Sequence, residues 1–174
     1  TGTGKRMRDV ARSPMENGAQ IRICDDGKGY KLIYRENIPP TSELISHLYM
    51  HHYLRQIGRN TKVVLHTHPT ELIALTHIER WLDSEALTQM LWSMIPECRM
   101  VVTKGVGVVP YHTPGTVELA EATIGQLQKH DVIIWEKHGV LAVGDDITTC
   151  FDTIDTLNKS AQIYIQAKAA GMKD

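Results

Sequence analysis

Short β-rich runs alternate with helical patterns along the chain, and this alternation constrains the fold more than any other feature of the sequence. The segment AQIRICDDGKGYKLIYRE contains two β-rich runs separated by Asp-Asp-Gly-Lys-Gly, which is typical of a hairpin. Further β-rich runs are TKVVLH, ECRMVV and the two halves of DVIIWEKHGVLAVG. Helical patterns separate these runs. The sequence therefore predicts an α/β domain in which a mixed sheet lies between layers of helices.

Capping residues indicate where the helices begin and end. Thr41 is a favourable N-cap after two prolines, and Gly58 can end the helix that follows. Ser84 is expected to cap the helix SEALTQMLWSMI, and TKGVGVVPYHTPGT is expected to be a loop. The last segment is expected to form one long helix. Its apolar residues recur at three- and four-residue steps, at Phe151, Ile154, Leu157, Ala161 and Ile165.

Length and composition limit the class of protein. The 174 residues suffice for one domain with a substantial core, and 42% hydrophobic with 22% charged residues is typical of a soluble globular chain. The net charge of −1 gives no basic field that would attract nucleic acid or a membrane surface. Three widely spaced cysteines without a CxxC motif indicate reduced thiols. We therefore expect a cytoplasmic protein that binds neither nucleic acid nor membranes.

The ends of the sequence resemble the interior of a longer protein. The chain starts at Thr1 on TGTGK, which is typical of an internal loop, and it stops just past a long helical pattern. We expect residues 1–174 to form a single domain that lacks N-terminal and C-terminal segments of the full protein.

The segment VVLHTHPTELIALTH places two histidines at the end of a β-rich run. Side chains two residues apart in a strand point to the same face, so His66 and His68 can converge on one ion. Zinc favours nitrogen ligands in a tetrahedral set, and a catalytic site keeps one position open. The chain has nine histidines, and one such pair can also arise by chance. The pattern leaves both interpretations open.

His138 is the best candidate for a third ligand, because it interrupts two apolar runs and precedes Gly139. Glycine beside a ligand lets the backbone approach closely or turn sharply. Ordinary polar roles in helices and loops explain the remaining histidines, which are His47, His51, His52, His77, His112 and His130.

Two polar segments could contribute further chemistry. Glu43 falls in the first turn of the helix predicted after PPTSEL, where the helix dipole favours an acid whatever else it does. A carboxylate beside a metal-bound carbonyl compound could instead move a proton at the neighbouring carbon. Thr41, Ser42 and the free N–H groups of this helix start would suit a phosphate. TGTGK could also cradle a phosphate, although it lacks the Walker A frame and a polar turn is the simpler explanation.

The motifs together resemble the class II aldolase/adducin superfamily. TGTGK, PPTSEL, HTHPTELIALT, PEC and KHG occur in the order and approximate spacing of that superfamily, and the similarity extends over essentially all 174 residues, including GVGVVPYHTPGT and DTLNKSAQI. The segment ELIALT after the histidine pair most resembles the corresponding segment of the L-rhamnulose-1-phosphate aldolase family. The Gly-Asn element that this family has upstream of TGTGK does not occur in the sequence.

The resemblance implies a fold and a set of site residues. The fold would be a single αβα domain with a mixed, largely antiparallel central sheet between layers of helices. One Zn²⁺ per subunit would be bound by His66, His68 and His138. Glu43 would be the acid and base at the carbon–carbon bond, and Glu97 would reach the site of a neighbouring subunit. The phosphate pocket would include Thr3, Gly4, Thr41 and Ser42.

The resemblance also implies an activity. A class II aldehyde-lyase of rhamnose catabolism would cleave L-rhamnulose 1-phosphate, or a close deoxyketose 1-phosphate, to dihydroxyacetone phosphate and L-lactaldehyde through a metal-stabilised enediolate. Its partners would be the sugar phosphate and other copies of the chain, in a homotetramer. The alternatives that remain are an L-fuculose-phosphate aldolase, a sugar-phosphate 4-epimerase that uses the same site, and a non-catalytic binding domain of the adducin type.

Overall fold

A computed structural model of the protein describes residues 1–24, 29–34 and 38–173. The chain divides into two compact units, Thr1–Leu44 and Ile45–Asp174. The expectation of a single domain over residues 1–174 stays a prediction.

The first unit contains two short helices and a two-stranded sheet. These elements are α1 (Met7–Arg12), α2 (Pro14–Asn17), β1 (Gln20–Ile23) and β2 (Tyr30–Tyr34). The strands pair antiparallel, with Ile21 opposite Leu32 and Ile23 opposite Tyr30. The antiparallel pairing predicted from the sequence is confirmed, while residues 25–28 of the predicted turn lie outside the described residues.

The second unit contains a four-stranded sheet and most of the helices, and α3 begins at the boundary between the units. In chain order the elements are α3 (Leu44–Gln56), β3 (Val63–Thr67), α4 (Thr70–Leu75), a 3-10 helix (Glu79–Leu82), α5 (Ser84–Met94), α6 (Pro96–Val101), β4 (Val106–Val109), α7 (Val117–Leu127), β5 (Val132–Trp135), β6 (Gly139–Gly144) and α8 (Ile147–Ala169). The strand order is β3-β6-β5-β4. The β3–β6 and β6–β5 pairings are antiparallel and the β5–β4 pairing is parallel. The predicted mixed, largely antiparallel sheet is confirmed.

Helices cover both faces of this sheet. Because successive strand residues point to opposite faces, Ile134 and Val140 lie in one core cluster while Ile133 and Leu141 lie in the other. The first cluster joins the strands to α4, α5, α6 and α8, and the second joins them to α3 and α7. β4 and β5, the parallel pair, are buried at every position although β4 lies at the sheet edge, as expected for parallel strands covered by helices on both faces. The layered α/β architecture predicted from the alternating pattern is therefore confirmed.

The segment ECRMVV was wrongly predicted as a strand. All but its last residue lies in α6, and the strand β4 occupies the VGVV part of the predicted loop. Pro96 at the first helical position supplies the backbone φ of a helix start, and Cys98 on the inner face is fully buried. Gly105, with φ of 64°, then reverses the chain into β4. The short apolar run of β4 is typical of a fully buried strand, but Gly105 before it and Gly107 within it made the segment resemble a loop.

Two helix predictions need smaller corrections. Asp83 rather than Ser84 caps α5, because its side chain accepts the N–H of Ala86 at 2.7 Å. Phe151 is 52% exposed on α8, and Cys150 takes the buried position in its place. The remainder of the predicted apolar stripe on α8 is buried or half-buried. α8 is a long helix of 23 residues, and none of the helices among the described residues is long and apolar enough to cross a membrane.

Candidate metal centre

His66, His68 and His138 lie together at one end of the four-stranded sheet. His66 is in β3, His68 is one residue beyond its end, and His138 is in the turn between β5 and β6. One ligand atom from each residue lies within 4.8 Å of the other two. Since β3 pairs directly with β6, the sheet itself brings the histidine pair beside the turn that carries His138. The spatial convergence expected from the sequence is observed.

The three imidazole rings enclose a compact space. The ring centroid of His66 lies 4.7 Å from that of His68 and 5.0 Å from that of His138. The centroids of His68 and His138 are 5.4 Å apart. His66 and His138 are half-buried and His68 is exposed, so the cluster is open to solvent on one side. A three-nitrogen set with an open side suits a metal ion that keeps one position for a ligand.

The hydrogen bonding of His66 prepares its ring to bind a cation. Its Nδ1 atom lies 3.0 Å from the carbonyl oxygen of Val140. A carbonyl can only accept a hydrogen bond, so Nδ1 carries the hydrogen and Nε2 presents its lone pair. Nε2 is buried and has no hydrogen-bond partner within the described part of the chain. A buried acceptor without a donor costs about 1–3 kcal/mol, and a metal ion at this position would remove that cost.

The surroundings of His66 keep its imidazole neutral. Burial, followed by the proximity of His68, lowers the pKa of His66 from 6.5 to about 3. Metal ions bind the neutral imidazole, so this ring is ready to act as a ligand at physiological pH.

Gly139 lets the first two rings approach the backbone. A Cβ at this position would lie 2.6 Å from the carbonyl oxygen of Thr67, 2.7 Å from Cδ2 of His68 and 2.9 Å from Cε1 of His66. Real Cβ atoms essentially never have neighbours closer than 3.0 Å. Of the two roles expected for a glycine at this position, the close approach of backbone and rings is observed.

The turn that presents His138 has an unusual backbone. Lys137 has φ of 58°, in the left-handed region that only a few per cent of non-glycine residues adopt. The N–H of Lys137 donates to the hydroxyl of Thr76 at 2.8 Å, and the N–H of His138 donates to the carbonyl of Trp135 at 3.1 Å. The second bond closes the turn between β5 and β6, and the first ties the turn to the residue that follows α4.

Trp135 borders the site and Thr123 holds its indole, and neither residue was predicted from the sequence. The Trp135 ring centroid is 4.6 Å from that of His66 and 5.0 Å from that of His138. Its Nε1 donates to the Thr123 hydroxyl at 2.9 Å, and that hydroxyl donates to the Leu119 carbonyl at 2.6 Å. The signal was a tryptophan at the end of an apolar strand, three residues before a candidate ligand. Its hydrogen-bond partner, Thr123, comes from α7 and has no signature in the sequence.

His47 is also more buried than its helical position indicated. It was interpreted as an exposed polar residue of α3, but burial, followed by the charge of His51, lowers its pKa from 6.5 to about 4. His52 on the same helix is exposed, as expected. Neither residue belongs to the three-histidine set.

Glu43 directly precedes α3 and is only 5% exposed. Its backbone N–H donates to the Thr41 hydroxyl at 3.3 Å, so Thr41 supports the helix start although α3 itself begins at Leu44. Glu43 belongs to the first unit and the three histidines belong to the second. Its catalytic role stays a prediction.

The residues predicted for a phosphate pocket come together in the first unit. Gly2 and Pro40 form a β-bridge, the N–H of Thr41 donates to the Thr1 carbonyl, and the Thr3 hydroxyl donates to the Pro40 carbonyl. Segment 1–4 therefore lies beside segment 39–42. Gly4, with φ of 72°, and Ser42 are exposed on these segments. Binding of phosphate here stays a prediction.

Glu97 lies in the first turn of α6 and is exposed. An exposed acid at a helix start is stabilised by the dipole alone. The predicted reach of Glu97 into the site of a neighbouring subunit stays a prediction.

The fold and the site define an α/β protein whose mixed sheet ends in a three-histidine centre able to hold one metal ion. Residues 8–165 match the family described as Class II Aldolase and Adducin N-terminal domain, and the chain belongs to this family. Class II aldolases are metal-dependent, and the donor set of three imidazoles fits that dependence.

Named relatives agree with this assignment. The chain is 55% identical over 172 residues to the rhamnulose-1-phosphate aldolase of Bacteroides thetaiotaomicron, and 38% identical over 176 residues to that of Mannheimia succiniciproducens. Each alignment covers 99% of this chain and 64% of the relative, so the chain spans about two thirds of the length of these curated relatives.

Solved structures with the same fold include two aldolases. The sugar-phosphate aldolase of Thermotoga maritima superposes with a TM-score of 0.88 at 30% identity, over 100% of this chain and 72% of that chain. An L-fuculose 1-phosphate aldolase superposes with a TM-score of 0.61 at 23% identity, over 82% of this chain and 60% of that chain, and this likeness shows the fold alone.

Proposed function

We propose that the chain carries the metal centre of an aldolase that cleaves L-rhamnulose 1-phosphate to dihydroxyacetone phosphate and L-lactaldehyde. The observation that carries the proposal is the convergence of His66, His68 and His138 within 4.8 Å, with the His66 tautomer set by Val140. The 55% identity to a rhamnulose-1-phosphate aldolase over nearly the whole chain supports the proposed substrate. The activity belongs to the aldehyde-lyases.

The proposed metal is one Zn²⁺ per subunit. Three neutral imidazoles leave one position of a tetrahedral site open, which is the arrangement of catalytic rather than structural zinc. The exposed side of the cluster, at His68, is where a substrate would enter. When bound, the metal supplies a Lewis acid that stabilises the negative charge left on the ketose oxygens as the carbon–carbon bond breaks.

The protein residues would move the protons and hold the substrate. Cleavage of the C3–C4 bond requires the C4 hydroxyl to lose its proton and C3 to gain one. Glu43 would deliver the proton to C3, and its burial would keep bulk water from competing for that step. Glu97, from a neighbouring copy, would accept the C4 hydroxyl proton in cleavage and return it to the aldehyde oxygen in the synthetic direction.

The phosphate would be held in the first unit. The proposed pocket comprises Thr3, Gly4, Thr41 and Ser42. Backbone N–H groups in a glycine-containing turn and at a helix start are the usual phosphate donors in proteins. The bridge between Gly2 and Pro40 supports this assignment, because it brings the two predicted segments into one place.

We further propose that the protein works as a homotetramer in the cytoplasm, with the active sites near the subunit interfaces. An exposed Glu97 agrees with a role at such an interface. Sedimentation analysis of the protein in its natural full length would measure the assembly directly.

The experiment that tests the function uses the protein in its natural full length. Metal content after exhaustive dialysis and aldehyde release from L-rhamnulose 1-phosphate and L-fuculose 1-phosphate are measured with and without a chelator. We expect about one zinc per subunit, chelator-sensitive cleavage and preference for the rhamnulose ester. Glu43→Gln should keep the metal and slow cleavage by about 100-fold, the scale of a lost general base.

Other outcomes would identify the alternatives. Conversion of a ketose phosphate to an isomer without a trappable aldehyde would identify an epimerase. Preference for L-fuculose 1-phosphate would reassign the substrate. A folded protein that retains no metal and cleaves neither ester would identify a binding domain. Turnover of Glu43→Gln at the wild-type rate would remove Glu43 from the mechanism.

A further inference from the structure

We propose that Thr76 is a positioning residue for the metal centre. Its side chain holds the turn that presents His138. This inference rests on the proposed metal centre and extends it to a residue that contacts neither metal nor substrate. The hydroxyl of Thr76 acts through the backbone of Lys137, a residue 61 positions away in the sequence.

The first step of the argument is the conformation of Lys137. Among the described residues it alone is a non-glycine with positive φ, at 58°. A residue with a Cβ adopts this region only where its surroundings determine the conformation. Lys137 is exposed, and its ammonium pairs with the neighbouring Glu136, so packing of its own side chain does not impose the turn. The surroundings must therefore act through its backbone.

The second step is the hydrogen bond that holds this backbone. The N–H of Lys137 donates to the Thr76 hydroxyl at 2.8 Å. That hydroxyl donates its own hydrogen to the Ile73 carbonyl at 2.7 Å, so its lone pair is turned toward Lys137. Thr76 is completely buried, and water does not compete for the bond.

The third step is the effect on the ligands. Lys137 immediately precedes His138, so a change in its φ rotates the backbone that carries the third imidazole. Thr76 follows the last residue of α4, and α4 begins two residues after His68. One hydroxyl therefore links the segment that carries the histidine pair to the turn that carries His138. Its loss would loosen the relative placement of the ligands, and a metal site tolerates displacements of only about 0.5 Å.

Thr76→Val tests the proposal because it keeps the shape of the side chain and removes the hydroxyl. We expect a zinc affinity about 10- to 100-fold lower, the range of supporting residues around metal sites, measured by competition with a chromophoric chelator. The visible spectrum of the Co²⁺-substituted protein should change at the same time, because the ligand geometry changes. Thr76→Ser keeps the hydroxyl and should restore both the affinity and the spectrum.

Thr88→Val is the matched control. Thr88 is also buried, and its hydroxyl accepts the N–H of Val106 at 3.0 Å at the start of β4. This variant loses the same kind of bond but should bind zinc as the wild type does. Equal losses of zinc affinity in Thr76→Val and Thr88→Val would show a general loss of stability and overturn the proposal.

A second pair of variants tests the same turn without altering a buried residue. Lys137→Val places a β-branched residue at positive φ and should weaken zinc binding, whereas Lys137→Gly suits that φ and should not. Wild-type affinity in both Thr76→Val and Lys137→Val would refute the positioning role while leaving the proposed function intact. A wild-type protein that binds no zinc would instead refute the proposed metal centre itself.

Discussion

Replacing Gly139 by alanine probes the closest contact in the metal centre. The added Cβ would lie 2.6 Å from the carbonyl oxygen of Thr67, and 2.7 and 2.9 Å from ring carbons of His68 and His66. Ordinary contact between such atoms requires about 3.5 Å. Each imidazole would have to withdraw by roughly 0.5–1 Å, which exceeds the displacement of about 0.5 Å that a metal site tolerates.

The surrounding backbone cannot absorb this displacement cheaply. Thr67 lies opposite Val140 in the ladder between β3 and β6, so moving its carbonyl away from Gly139 disturbs the pairing of the two strands. Overpacking of this kind costs about 1–3 kcal/mol in the free energy of unfolding. Zinc affinity should fall by about 100-fold or more, because two of the three ligands are displaced together.

The assay combines chelator competition for zinc affinity with urea unfolding of the metal-free protein. Gly125→Ala is the matched control, since Gly125 lies within α7 and a Cβ there has no neighbour within 4 Å. The control should gain about 0.5–1 kcal/mol in stability, because alanine favours a helix interior over glycine, and it should bind zinc normally. Wild-type zinc affinity in Gly139→Ala would refute the inference that the rings pack against this backbone.

Two further predictions concern the buried groups around the site. Thr123→Val removes the hydrogen-bond acceptor of the buried Trp135 indole and should lower the free energy of unfolding by about 1–3 kcal/mol in urea denaturation, so an unchanged value would show that the indole finds another partner. In the metal-free protein, burial lowers the pKa of His66 to about 3 and that of His47 to about 4, so the unfolded chain takes up protons below about pH 6.5 that the folded chain does not. Stability should therefore be complete above about pH 6.5 and fall toward pH 4 by about 1.4 kcal/mol per pH unit for each histidine. Urea titrations from pH 7 to pH 4 that show constant stability would contradict the burial of these rings.

Local sequence patterns were sufficient to predict much of the fold and the three candidate metal ligands. The alternation of β-rich and helical segments predicted the layered α/β architecture, because hydrophobic periodicity reports directly which face of an element is buried. The pair His66 and His68 could be read from strand geometry, and His138 from its position between two apolar runs. These signals were sufficient because each depends on residues that are close in the sequence.

Predictions failed where the local sequence pattern was weak or where a residue's hydrogen-bond partner lies far away in the sequence. The prediction of a strand at ECRMVV was wrong because the two valines at its end are typical of a strand, whereas Pro96 starts a helix and the fully buried strand follows Gly105. The hydrogen bond from Trp135 to Thr123 joins a strand to a helix on one face of the sheet. No periodicity in either segment indicates that pairing.

The sequence by itself determined which residues could serve as ligands, since imidazole chemistry and strand periodicity are properties of the residues and their neighbours. The tertiary structure decided whether those residues meet. The antiparallel pairing of β3 with β6 places the histidine pair beside His138, Gly139 leaves room for two rings, and the hydroxyl of Thr76 holds the turn. These decisions depend on contacts between residues more than 60 positions apart, and only the packed sheet and helices bring such residues within hydrogen-bonding distance.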